Sequence, residues 1–168
     1  MACRSRVLLL LALLLCVITP AAAGLLAPGD PAPKFTFPEL ATGKIRTLAE
    51  IAQGQPLLLV FLETACRSCV REMVAIKRIQ ADRPGFAVLG VFLDINPRNV
   101  EGYVADYDLP FSFTWDGAYT MADAYGVAAS PTSFLIDQDG KVAVVYPGFT
   151  LATEGRLRAD LEMLLFRR

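Results

Sequence analysis

A chain of 168 residues, 54% hydrophobic and 20% charged, is long enough to bury one sizeable core and short for two separate domains. Its formal charge of −1 excludes the strongly basic surface with which proteins grip nucleic acid, and gives no anionic membrane surface as a natural partner.

Residues 1–23 read as a secretory signal. Arg4 and Arg6 supply the charged start, Val7 to Ile18 the apolar stretch, and Ala21-Ala22-Ala23 the small-residue cleavage site. Two other readings stay open. Residues 7–27 are apolar enough to remain as an uncleaved membrane tether, although Pro20 and Gly24 interrupt them. Cys16 is a candidate lipidation site, with a bulky Leu15 before it. Cys3 and Cys16 go with this segment, so the exported part keeps only Cys66 and Cys69. Cleavage takes Arg4 and Arg6 from the 16 basic residues and leaves 14 against 17 acidic, a charge of −3.

Residues 24–34, rich in Pro and Gly, read as a linker, and residues 35–168 as one domain. Phe35 to Phe37 and Ile45 to Leu48 predict a small hairpin around Thr42-Gly43, and Leu48 to Gln53 a helical turn. Leu57 to Leu62 is a buried strand by its length and branched residues. Arg67 to about Arg83 has helical periodicity. On that helix Arg67, Arg71 and Arg78 fall within about 40° of one another, with Cys69, Met73 and Ile76 opposite. Phe86 to Asp94 predicts a second buried strand, and Pro97 to about Tyr107 a helix with Asn96 as its cap. A short strand over Phe111 to Trp115 and a short helix from Ala118 to Tyr125, ended by Gly126, come next. Thr132 to Asp137 and Lys141 to Tyr146 form a hairpin about the turn Gln138-Asp139-Gly140. Thr150 caps a last helix whose Leu157, Leu161, Leu164 and Leu165 share one face. Strands alternating with helices, then a closing hairpin and helix, predict an α/β sheet with helices on both faces.

The chemistry centres on Cys66 and Cys69, at a strand-to-helix turn. There the backbone N–H groups and the helix dipole stabilise a thiolate on the first cysteine, and the second lies one helical turn on, close enough to attack a mixed disulfide formed on the first. A pair three residues apart closes too small a loop to be a useful structural staple. A zinc site needs about four ligands, and two cysteines with no histidine would require a second chain. A dithiol redox site needs no cofactor. Glu72, three residues past Cys69, falls toward the buried side, where desolvation raises a carboxyl pKa and allows it to relay a proton to or from the thiols. Its plain alternative is an ordinary acidic residue in the first turns of a helix. Ser130-Pro131 stands directly before a strand, where a proline alone reads as a turn residue.

The Cys-X-X-Cys at a strand–helix junction, followed some 60 residues later by VAASPTSFLID, resembles the thioredoxin superfamily, and within it the TlpA/ResA/CcmG-like exported thiol-disulfide oxidoreductases of the redoxin group. The resemblance covers roughly residues 28–166. It implies a thioredoxin-like fold with a central mixed sheet, an N-terminal hairpin and a central insertion. It also implies a cis peptide bond at Pro131 beside the redox pair, and a backbone at Ser130 that pairs with the incoming peptide. A glutamate is frequent at the position of Glu72. The implied activity is reduction of partner-protein disulfides, with apocytochrome c or a copper-site protein as recipient and a membrane thiol relay as electron source. The chain departs from the pattern at Ala65, where Trp is usual, at Glu63, at Val60 and in the dipeptide Arg67-Ser68. Glu63 opposes thiolate formation and Arg67 favours it.

A rival from another class is a Cu(I)-handling module with Cys66, Cys69 and Met73 as soft ligands, although the copper-delivery relatives of this fold also use a histidine. A peroxidase would want Thr three residues before the reactive cysteine, where Glu63 stands.

Overall fold

In the computed structural model, which describes residues 24–166, the elements begin with β1 (Thr36–Pro38), β2 (Ile45–Thr47), α1 (Leu48–Ala52) and β3 (Leu57–Leu62). They continue with α2 (Arg67–Asp82), β4 (Ala87–Phe92), α3 (Arg98–Asp106) and β5 (Ser112–Trp115). The chain closes with α4 (Thr120–Tyr125), β6 (Thr132–Ile136), β7 (Val142–Pro147) and α5 (Leu151–Phe166). The expected signal or anchor over 1–23 lies outside the described residues. Among the described residues no helix is long and apolar enough to cross a membrane.

β3 is buried along its whole length because it is the middle strand of the order β5-β4-β3-β6-β7. It runs parallel to β4 and antiparallel to β6, and β7 returns antiparallel on β6, so the sheet is mixed as the resemblance implies. Strand side chains alternate between faces, and β3 feeds two cores accordingly. Leu58, Val60 and Leu62 meet Met73, Ile76 and Ile79 of α2, Tyr103 of α3 and Leu157 and Leu161 of α5. Leu57, Leu59 and Phe61 meet Phe37, Ile51 and the α4 residues Met121, Ala122 and Tyr125. Gly90 in β4 leaves room for the Phe113 ring, which a Cβ there would strike.

The predicted elements form within a residue or two of their expected limits, and their ends are satisfied locally. The Asn96 side chain accepts from the Arg98 N–H at 3.1 Å, one position before the helical turn begins. Gly126 ends α4 in the left-handed region at φ 68°. Thr150 Oγ1 accepts from the Thr153 N–H at 3.2 Å at the head of α5. The expected central insertion supplies α3 and β5, and β5 forms the sheet edge beyond β4. Glu39, in the hairpin turn, accepts from the Ser112 and Thr42 hydroxyls, both at 2.8 Å, which hold its carboxyl below the usual range and pin the hairpin to that edge.

Residues 24–34 require a correction. Expected as a linker, they are bound to the domain as a strap. Leu26 N–H donates to Tyr125 O at 3.2 Å, Gly29 N–H to Val142 O at 2.8 Å and Ala32 N–H to Gly140 O at 2.9 Å. Leu26 and Ala32 also pack against the second core. The Pro and Gly content shapes a tight path along the sheet edge, and backbone groups make the attachment.

Candidate active site

Each residue of the site is placed by the end of an element. β3 stops at Leu62, and four residues later Cys66 takes the N-cap position of α2 with extended backbone. Its Sγ accepts from the Cys69 N–H at 3.1 Å and lies 3.3 Å from the Ser68 hydroxyl. Sulfur thus stands where a capping oxygen usually does, facing the free N–H groups at the positive end of the helix dipole. No acidic residue occupies the first turn of α2 to oppose a thiolate. Cys66 and Cys69 are joined as a disulfide with their Cα atoms 5.2 Å apart. Cys66 is half-buried and Cys69 fully buried, so an incoming group reaches the first sulfur and not the second.

Glu72 lies one turn beyond Cys69 with 1% of its surface exposed. Ser133 Oγ donates to its Oε1 at 2.6 Å, and Oε2 has no hydrogen-bond partner among the described residues. Burial raises its pKa to about 7, against a smaller opposing effect of the Ser133 hydroxyl. Among the described residues the hydroxyl of Tyr103, on α3, is the other buried side-chain oxygen without a partner.

The Ser130–Pro131 peptide bond is cis. Because Phe61 pairs with Thr132, Pro131 falls opposite the end of β3 and beside the loop that carries Cys66. Ser130 Oγ donates to Glu63 Oε2, which ties the two loops together. Among the described residues the backbone N–H and C=O of Ser130 join no backbone hydrogen bond. Cys66, Cys69, Glu72, Ser130 and Pro131 therefore gather at one end of β3 and β6. Met73, the third candidate copper ligand, is fully buried in the core between α2 and the sheet.

Two contributors escape a reading of the sequence. Asp94 accepts from the Thr64 N–H at 3.1 Å and from the Thr64 hydroxyl at 2.5 Å, anchoring the loop between β3 and Cys66. Its signal was its place at the carboxyl end of a strand, where open parallel sheets carry their sites. Glu63 serves as the acceptor for Ser130, a role visible only once β3 and β6 are neighbours.

The redoxin family profile matches residues 27–161. Thiol-disulfide oxidoreductase ResA of Geobacillus thermodenitrificans is 32% identical over 124 residues, which are 73% of this chain and 70% of the relative. The thioredoxin-like protein YneN of Bacillus subtilis is 30% identical over 140 residues, 80% of this chain and 79% of its own. Among solved structures, a Chlorobium tepidum protein described as the thiol:disulfide interchange protein DsbE superposes with a TM-score of 0.77 at 30% identity, covering 83% of this chain and 99% of its own.

Proposed function

The chain belongs to the redoxin family, in the branch of exported thiol-disulfide oxidoreductases of the thioredoxin superfamily, and on that premise we propose that its Cys66–Cys69 pair reduces disulfides of partner proteins outside the cytoplasm. The observation that carries the reading is the inequality of the two sulfurs. One is reachable and faces the helix N–H groups, and the other is sealed beneath it.

In the reduced protein the Cys66 thiolate attacks one sulfur of a partner disulfide. The sulfur–sulfur bond breaks, the partner's other sulfur leaves as a thiolate and takes a proton, and a mixed disulfide forms. Cys69 then loses its proton and attacks Cys66 Sγ, which releases the second partner thiol. Two electrons have passed to the partner, and Cys66 and Cys69 are left as the disulfide seen here. An external dithiol must reduce it again, and a membrane-linked thiol relay is the source that fits the family. Glu72 is the group positioned to take the Cys69 proton, and the free backbone of Ser130 beside Pro131 is the edge on which the partner peptide lies.

The reducing direction follows from the branch and not from any one side chain. Reductants and oxidants of this fold differ by about 150 mV, or roughly 7 kcal/mol for two electrons. A helix terminus contributes on the order of 0.3–2 kcal/mol, far less than that gap. Recipients consistent with the branch are apocytochrome c and copper-site proteins.

The test is to replace Cys69 with Ala, so that mixed disulfides on Cys66 persist, and to identify the captured proteins from the exported fraction. A restricted set containing apocytochrome c or copper-site proteins is expected. An absence of any captured species would overturn the reading.

A further inference from the structure

The face of α2 turned away from the core carries more than solubility requires. Arg67, Arg71, Val74 and Arg78 are all exposed and follow one another along that face, starting within the redox motif itself. Other cations on and just past α2 are engaged, Lys77 with Asp108 at 2.8 Å and Arg83 with Glu162 at 3.1 Å. Arg67 and Arg71 make no ion pair among the described residues, and Arg78 reaches Glu154 only at 3.7 Å. Beside this stripe runs a groove of about 270 Å³ between α2 and the start of α5. Val70, Val74, Phe149 and Leu151 give it apolar walls, and Arg71 and Arg78 stand at its side. Leu151 is 87% exposed although it begins a helix whose Leu157 and Leu161 are buried. Glu154 is the acidic group in the groove, and Arg158 contacts it at 3.3 Å from the α5 side while also reaching Asp82 at 3.3 Å.

We propose that this groove seats a segment of the partner polypeptide that carries an apolar residue and acidic residues close to the cysteine under attack. The inference rests on the disulfide-reducing reading above and adds the chemistry of the partner. Charge decides the occupant. The chain as a whole is slightly acidic at −1, so a cationic stripe in which Arg67 and Arg71 make no ion pair among the described residues is a local feature, suited to a short acidic segment and not to an extended polyanion. Length sets the spacing. At about 1.5 Å per helical residue, Arg71 and Arg78 lie roughly 8 and 18 Å along α2 from Cys66. An extended peptide at about 3.3 Å per residue covers those spans in some two to five residues. The acidic positions of the partner therefore fall two to five residues from its reacting cysteine.

The experiment compares two peptide disulfides that share a leucine and differ only in carrying two Glu or two Lys at those positions. Each rate is taken relative to that with 2,2′-dithiodipyridine, a neutral reagent too small to fill the groove. The reduced protein is expected to favour the acidic peptide by roughly fivefold or more at low salt, with the preference shrinking at 0.5 M NaCl. Arg71→Gln should weaken the preference and Arg71→Glu should reverse it, while the Cys66–Cys69 potential stays unchanged. Equal relative rates on the two peptides would overturn the proposal and leave the reductase reading standing. So would Arg71-dependent binding to phosphatidylglycerol vesicles without a peptide preference, or Arg71-dependent self-association. Failure to reduce either peptide or the reagent would sink both.

Discussion

Glu72 takes an ionisable group into the layer between α2 and β6, where one oxygen has the Ser133 hydroxyl and the other has no partner among the described residues. Its folded pKa of about 7 stands above the ordinary 4.5, so folding favours the protonated form. The sign follows from proton counting. The contribution of Glu72 to stability is greatest below pH 4.5, falls as the pH rises toward 7, and has lost the full amount above that. A gap of that size corresponds to a cost on the order of 3 kcal/mol. Glu72→Gln should therefore melt higher than the parent at pH 8, with the difference closing toward pH 4.5, as read by thermal denaturation of the oxidised protein. Its chemistry should change in step. Below pH 7 a protonated Glu72 cannot take the Cys69 proton, and above it the carboxylate is free to accept it. Alkylation rates of the reduced parent should show an inflection near pH 7 that Glu72→Gln lacks. An identical profile in the two proteins would make Glu72 a structural residue only.

The turn from β3 into α2 shows what one element demands of its neighbours. Glu63 receives the Ser130 hydroxyl on one side, and Thr64 gives its N–H and hydroxyl to Asp94 on the other. Hydrogen bonds to a charged acceptor contribute about 1.5–3 kcal/mol each. Asp94→Ala should lower stability by about 2 kcal/mol in urea and slow disulfide exchange at Cys66, because the loop before the N-cap loses its anchor. Unchanged exchange with lowered stability would confine Asp94 to the fold. β3 and α2 themselves were legible, since a branched apolar run and a separated helical face are local patterns. The pairing partners were not. Asp94 reaches Thr64 because Phe92 sits beside Leu62 in a parallel register, and Ser133 reaches Glu72 across 61 positions of sequence. Strand order decides both, and no local pattern encodes it. The strap over 24–34 was missed for a related reason. Its attachments are made by backbone groups, to which composition is blind.

At the scale of the whole molecule, that strap joins parts of the domain that are distant in sequence. It bonds to the end of α4 through Leu26 and Tyr125 O, and to β7 through Gly29, Asp30 and Val142. Tyr125, fully buried, returns a bond from its hydroxyl to Pro33 O at 3.2 Å and packs its ring against Phe61 and Phe134 of the sheet. The strap thus covers the face of the sheet opposite α2, and its first residues press on Gly126. A Cβ at that position would strike the backbone of Gly24 and Leu25. Gly126 and Gly43 have nearly the same backbone, φ +68° and +67°, but Gly43 has nothing within 4 Å. The pair separates strain from packing. Gly43→Ala should cost about 1–2 kcal/mol, the penalty of a left-handed conformation alone. Gly126→Ala carries that penalty and must also displace backbone that no side-chain rotation can relieve. It should exceed the Gly43 value by at least about 1 kcal/mol, the worth of the Leu26–Tyr125 hydrogen bond it breaks. It should also expose residues 24–34 to limited proteolysis while the Cys66–Cys69 potential holds. Equal costs at the two glycines, with the strap still protected, would mean that α4 and the strap do not press on each other in solution.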